Sequence, residues 1–244
     1  LGPGAMASDE MAETMKLCVS CKACKRECPV GVDMARMKVE VTAARAAKHG
    51  IPLHDSLIGN LPAYAPLASG LSGLSNLVQS VWRHVPGLAS LVSRLTGFTT
   101  KRSLPKWHSN AFRNGEIGSA PTGAGTPVFL FADTFNRSLE PENLRAAIRV
   151  LRAAGYDVFA PTPAAGRPYC CGRTYLSAGM VDKARAEAER LVTALYPLAR
   201  SGVRIVGLEP SCTLALRDEV PALLGTAQAE AVAEATLTFA ELVE

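Results

Sequence analysis

Four cysteines near the start of the chain, Cys18, Cys21, Cys24 and Cys28, stand in the order C-x2-C-x2-C-x3-C-P within "CVSCKACKRECPV". Thiolates three residues apart in a tight loop turn successive sulfurs inward, and a fourth cysteine followed by proline sits where the chain turns away. Bacterial ferredoxins use this spacing to ligate a cubane iron–sulfur cluster. Structural zinc sites favour two C-x2-C pairs separated by a longer loop. The expectation is therefore a 4Fe-4S centre that relays single electrons, with Cys18, Cys21, Cys24 and Cys28 as its ligands. In two-cluster ferredoxins the fourth cysteine of such a run serves the other cluster, and this sequence has no second run. Two arrangements stay open: all four thiolates hold one cluster, or Cys28 serves a cluster whose other ligands lie outside the chain. Lys16, Lys22, Lys25 and Arg26 crowd the motif. They are either solvated surface charges or counter-charges that help set the potential of an anionic cluster.

The remaining cysteines, Cys170, Cys171 and Cys212, lie far downstream in "CCG" and "EPSC". They form a candidate second metal or redox site. Gly172 lets the backbone approach a ligand closely. The plainer alternative is that all three are small buried hydrophobes, a common fate of free cysteine. Asp133, in "ADTFN", is expected to cap a helix or close a turn. Arg173 faces either an anion or solvent, and Glu209 is read as an ion-pair partner without a functional role. His54, His84 and His108 have no ligand spacing and are read as surface or core residues.

The elements that must position these cysteines change character along the chain. Residues 1–15 read as a flexible lead-in, and a helical pattern over 34–49 stops at Gly50, a good residue for a helix end. Residues 51–112 read as several short helices divided by Pro and Gly. Residues 114–126, "NGEIGSAPTGAGT", are flexible by composition and are taken as a linker. This divides the chain into an α-helical ferredoxin-like domain over 1–113 and an α/β domain over 127–244. In the second half, apolar runs at 127–133, 156–161 and 203–210 read as buried parallel strands. Helices are expected between them: one begins at Pro141 and ends at Gly155, and a longer one carries Val181, Ala184, Ala188, Leu191 and Leu195. Strands alternating with helices argue for an open parallel sheet, and the loops after its strands share one edge, where ligands bind. All three downstream cysteines and Asp133 belong to such loops. Residues 228–244 are Ala-rich and read as helix.

With 244 residues, 48% of them apolar, the chain has room for one large domain or two small ones and for a real core. A net charge of +4 with few aromatics gives no sign of a nucleic-acid groove. Cysteines in two clusters do not suggest a secreted disulfide framework, which points to the cytoplasm. The apolar stretch over 62–95 is broken by Pro66, Gly70 and Gly73 and reads as short packed helices rather than a membrane span. The chain opens on Leu1 rather than Met, so it is expected to be part of a longer polypeptide.

These residues carry a resemblance. "CVSCKACKRECPVGVDM" resembles the second ferredoxin motif of FAD-linked 2-hydroxyacid dehydrogenases with a fused iron–sulfur tail. The runs "EPENLRAAIRVLRAAGYDV", "CCGRTYLSAGMVDKARA" and "GLEPSC" resemble the cysteine-rich CCG domain that follows it there. Glycolate oxidase iron–sulfur subunits, anaerobic glycerol-3-phosphate dehydrogenase membrane-anchor subunits and heterodisulfide reductases are similar in plan. The resemblance implies a helical ferredoxin domain, CCG domains, and electrons passing from a 2-hydroxyacid through FAD and the clusters to a quinone or other acceptor. FAD would sit in a separate domain or partner protein, and the protein would work in the cytoplasm, at the inner face of the membrane if it associates peripherally. The resemblance also implies a second iron–sulfur cluster at Cys170, Cys171 and Cys212. The family form often has a cysteine near the end of the first strand, where Asp133 and Thr134 stand here, and C-x2-C where this chain has Cys212 and then Ala215. A second cluster would thus need a further ligand. Two other functions fit the same residues: a thiol–disulfide enzyme using Cys170 or Cys171, and a zinc-binding interaction module.

Overall fold

The computed structural model describes residues 4–85, 87–161, 163 and 167–244. The chain divides into two compact units: Leu1–Asn60 with Thr174–Ala184, and Leu61–Arg173 with Arg185–Glu244.

The first unit is helical. Asp9–Lys16 forms a helix where a flexible lead-in was expected. Its cause is local: the Ser8 hydroxyl accepts the Met11 amide, and Asp9 and Glu10 occupy the positive first turn. Arg45, on the helix Met34–His49, donates to the Ala7 and Ser8 carbonyls and to Asp9, which ties this segment down. Met34–His49 begins under the Asp33 carboxylate, which accepts the Arg36 amide at 2.9 Å, and ends at Gly50 as its pattern predicts. Gly179 carries φ +73° and lies so close to the Thr42 carbonyl that a Cβ would sit 2.8 Å from it.

The second unit is built on four parallel strands: β1 (Thr126–Phe131), β2 (Tyr156–Phe159), β3 (Arg204–Gly207) and β4 (Thr236–Thr238), in the order β2-β1-β3-β4. Three strands fall where the apolar runs place them. The fourth interrupts the region read as continuous helix, which is Ala227–Ala235, then β4, then Phe239–Val243. Three residues are too few to register as a strand pattern beside an Ala-rich helix. Register is set by the pairs Val128↔Val158, Leu130↔Val206 and Ile205↔Thr236. Strand residues Val128, Leu130, Val158, Phe159, Ile205 and Val206 are sealed from solvent, as expected when helices cover both faces of a parallel sheet. Leu144 and Leu151 of the helix Pro141–Ala153, and Leu191 and Leu195 of the helix Val181–Arg200, complete this core. Fully burying each such side chain contributes about 1.5–3 kcal/mol.

The 114–126 run, expected as a linker, is pinned to this unit. Asp157 on β2 accepts the Thr122 and Gly123 amides at 2.6 and 2.8 Å, and the Ala160 amide donates to the Gly118 carbonyl. Burial raises the Asp157 pKa, but these donors more than offset that, so it falls below the usual carboxylate range. Gly125 lies too close to the Gly155 carbonyl to carry a Cβ. Glycine at that position therefore reflects close backbone approach.

Candidate functional site

In the first unit, the chain from Cys18 to Cys28 turns on two residues with positive φ, Ser20 (57°) and Lys22 (60°). Neither is glycine, so the left-handed turns are held by their surroundings. Lys22 begins the short helix Ala23–Glu27 and pairs with Asp33 at 3.8 Å. Lys38 reaches back from Met34–His49 to donate to the Cys18 carbonyl at 2.5 Å.

Backbone amides in this loop point at sulfur. Ser20 N–H donates to Cys18 Sγ at 3.4 Å, and Met34 N–H donates to Cys24 Sγ at 3.2 Å. Met34 is the first residue of a 16-residue helix, so Cys24 sits at the positive end of that helix. Amides of Val32, Val30 and Gly31 face Cys28 and pull its thiol pKa below the ordinary value. The Cys18 and Cys24 sulfurs thus each accept a backbone N–H, and Cys28 is biased toward thiolate, the species that ligates iron. Cys21 is exposed, and Cys18, Cys24 and Cys28 are half-buried. Among the described residues no three His, Cys, Asp or Glu side chains close tightly enough to grip a single metal ion. A cubane needs no such closure, because its own iron and sulfide fill the space between the thiolates. The loop's donor set fits a cluster.

In the second unit, the sheet order puts the switch point between β1 and β3, where the chain leaves one side of β1 and returns on the other. Crevices at such points bind ligands in open parallel sheets. The structure brings Cys170, Cys171 and Cys212 together there, all buried at 3% exposure. Their thiols lie in a string, with Cys171 interacting with both Cys170 and Cys212. The Cys170 S–H is turned toward Cys171 as donor, and this interaction together with burial pushes the Cys170 thiol well up. Cys171 is lowered by Cys170, but its bond to Cys212 and its burial win and push it well up. Cys212 is likewise lowered by Cys171 and raised further by burial and by the nearby Asp133 and Glu209 carboxylates. As placed, these are neutral thiols.

Asp133 caps the helix Thr134–Ser138, as its sequence context suggested. Its Oδ1 accepts the Phe135 and Asn136 amides at 3.0 Å each, and its Oδ2 accepts Asn136 Nδ2 at 2.7 Å. Burial raises its pKa in spite of these bonds. A carboxylate committed in this way does not stand in for the missing sulfur. Among the described residues no further side chain completes the donor set that a second cluster would need. Glu209 caps the helix Pro210–Arg217 by accepting the Ser211 amide, and Arg173 pairs with Glu219 at 2.5 Å. His54 bonds Asp55 and His84 bonds the Ser80 carbonyl.

One residue of this site escaped the sequence reading. Glu187 is 2% exposed and accepts the Cys170 amide at 2.9 Å. It also pairs with Arg167, and with Arg190 at 2.6 Å. Arg190 donates in addition to the Arg167 and Pro168 carbonyls, and its guanidinium lies 4.8 Å from the Tyr169 ring centre. Residues 167–170 are therefore stitched to the long helix, which sets the direction of the cysteine pair. The available signal was Glu187 on the apolar stripe of that helix, between Ala184 and Leu191.

The chain is similar to segments of known dehydrogenases. It is 29% identical over 233 residues to D-2-hydroxyglutarate dehydrogenase of Pseudomonas putida, covering 89% of this chain and 22% of that protein. The enzyme of the same name from Escherichia coli K12 is 24% identical over 236 residues, 91% of this chain and 22% of its own length. A subunit of the anaerobic glycerol-3-phosphate dehydrogenase of Escherichia coli K12 is 26% identical over 197 residues, 79% of this chain and 46% of its own length. The chain thus spans about a fifth of the length of the first two relatives and under half of the third. No family model and no solved structure matches it. Its homologues are oxidoreductases or subunits of them. Among the described residues no helix is long and apolar enough to cross a membrane.

Proposed function

We propose that this chain is the electron-transfer segment of an FAD-linked 2-hydroxyacid oxidoreductase and that Cys18, Cys21, Cys24 and Cys28 hold one 4Fe-4S cluster. The observation that carries the reading is the set of backbone amides aimed at Cys18, Cys24 and Cys28. Such hydrogen bonds stabilise anionic sulfur and tune cluster potentials. When bound, the cluster supplies a one-electron relay between a two-electron flavin and the next acceptor. The chain's own residues orient the sulfurs, direct the helix dipole at Cys24, and keep cations such as Lys22 and Lys38 close by. Similarity to D-2-hydroxyglutarate dehydrogenases favours a flavoprotein domain or a separate flavoprotein as electron donor. A quinone or another carrier would take the electrons, at the cytoplasmic face of a membrane.

The raised thiol pKa values of Cys170 and Cys171 weigh against the thiol–disulfide alternative, because the attacking species is thiolate. The test is metal analysis of protein purified without oxygen. Iron with matching acid-labile sulfide is expected. Zinc without either would replace this reading by a zinc-binding module.

A further inference from the structure

The helix Met34–His49 meets the cysteine loop at two points. Its first amide, Met34 N–H, donates to Cys24 Sγ. One turn later, at i+4, Lys38 Nζ donates to the Cys18 carbonyl at 2.5 Å. The two groups share one side of the helix, so a single rigid element addresses both ends of the C-x2-C-x2-C run.

The cations around this loop differ in what they face. Lys16 pairs with Glu13, Lys22 with Asp33 and Arg26 with Glu27, so a carboxylate offsets each of these charges. Lys16 and Arg26 are also 69% and 89% exposed, where water and salt screen what remains. Lys38 is half-buried, and its ammonium rests on a neutral carbonyl. Among the described residues no carboxylate pairs with it. Of these four cations, Lys38 alone holds a charge that is both uncancelled and partly shielded from water.

A positive charge fixed beside a metal–thiolate site favours its more negative, reduced state. We propose that Lys38 is a positioning residue that raises the reduction potential of the Cys18–Cys28 site, by holding one uncancelled positive charge against Cys18. The inference rests on the cluster reading above and adds which residue of this chain tunes the site. That residue lies outside the cysteine motif, on the helix that follows it. Uptake of one electron from a reduced flavin adds one negative charge at the site, and the Lys38 ammonium stabilises the added charge. Removing the ammonium should shift the reduction equilibrium down about tenfold at the effective dielectric of a partly buried site, which is about 59 mV for one electron.

The test is an anaerobic redox titration of the whole chain, reconstituted with iron and sulfide and followed by electron paramagnetic resonance. Lys38→Gln keeps a donor for the Cys18 carbonyl and removes the charge. It should hold as much iron as the wild-type chain and show the tenfold downward shift. Lys38→Met should shift the potential at least as far, and Lys38→Arg should stay within about twofold of wild type. Lys16→Gln, which removes an exposed and paired cation, should also stay within about twofold. A Lys38→Gln potential within about twofold of wild type at equal iron content overturns the inference and leaves the cluster reading standing. So does a downward shift in Lys38→Met that Lys38→Gln lacks, because the hydrogen bond rather than the charge would then set the potential. Loss of iron from Lys38→Gln with an unchanged circular dichroism spectrum also overturns it, by making the lysine a holder of the loop. A wild-type chain that takes up no iron defeats the cluster reading and this inference with it.

Discussion

Replacing Glu187 by Ala tests whether the cysteine pair is held in place by the long helix. The substitution leaves the buried Cys170 amide without its acceptor, which costs about 1–3 kcal/mol. It also strips Arg167 and Arg190 of their shared carboxylate. Removing one member of a fully buried pair costs about 3–5 kcal/mol. Both arginine side chains, however, retain 28–29% exposure and can recover water, so the lower end applies. The two costs overlap because one carboxylate serves both, and the expected loss is about 3–4 kcal/mol. Both tryptophans, Trp82 and Trp107, belong to the same compact unit as Glu187, so urea unfolding followed by tryptophan fluorescence reads this unit. Glu187→Gln keeps an acceptor for the amide and should recover about 1 kcal/mol of the loss. In Glu187→Ala the Cys170 thiol should also react faster with an alkylating agent. A loss below about 1 kcal/mol with unchanged thiol reactivity would refute the idea that this carboxylate orients the cysteines.

Leu191→Ala, at a fully buried site, is expected to cost about 2–5 kcal/mol in the same assay, whereas Leu77→Ala, on the exposed face, should stay within about 0.5 kcal/mol. In native, metal-free protein at neutral pH, Cys170 and Cys171 should alkylate at least about tenfold more slowly than in urea, as buried thiols with raised pKa values; equal rates would contradict the thiol string. Glu241 is held down at about 2 by Arg217 first and the Thr238 amide second. A carboxylate lowered in the folded state adds stability that is present above its unfolded pKa and lost as pH falls from there toward about 2. Its side chain is 42% exposed, so the contribution is under about 1 kcal/mol. NMR titration should show the low value in the native chain and a rise toward the ordinary range in Arg217→Ala.

Much of the α/β unit was legible because buried parallel strands are continuous apolar runs with few other interpretations. Val128, Val158 and Ile205 lie within such runs, and the helices between them keep strict periodicity. β4 was hidden by its length and its Ala-rich flank. Composition misled at 114–126, where glycines that signal flexibility serve close approach, as at Gly125, and where one buried aspartate, Asp157, anchors the segment. Asp133 as a cap was readable from local preferences. The Glu187 network was not, since only Arg190 is a helical neighbour and the other partners, Arg167 and the Cys170 amide, lie 20 and 17 residues away along the chain. The stretch over 62–95 was legible as short helices, but which of their leucines stay exposed was not, because periodicity gives a face and not the direction in which it points.

The central claim is that the loop from Cys18 to Cys28 holds a cluster, and anaerobic reconstitution with iron and sulfide tests it most directly. The account expects about four irons and four sulfides per chain and a broad visible absorption that dithionite bleaches. Cys24→Ala should lose both, and Cys171→Ala should keep them. A colourless product without iron, or a coloured one indifferent to Cys24→Ala, would contradict the account.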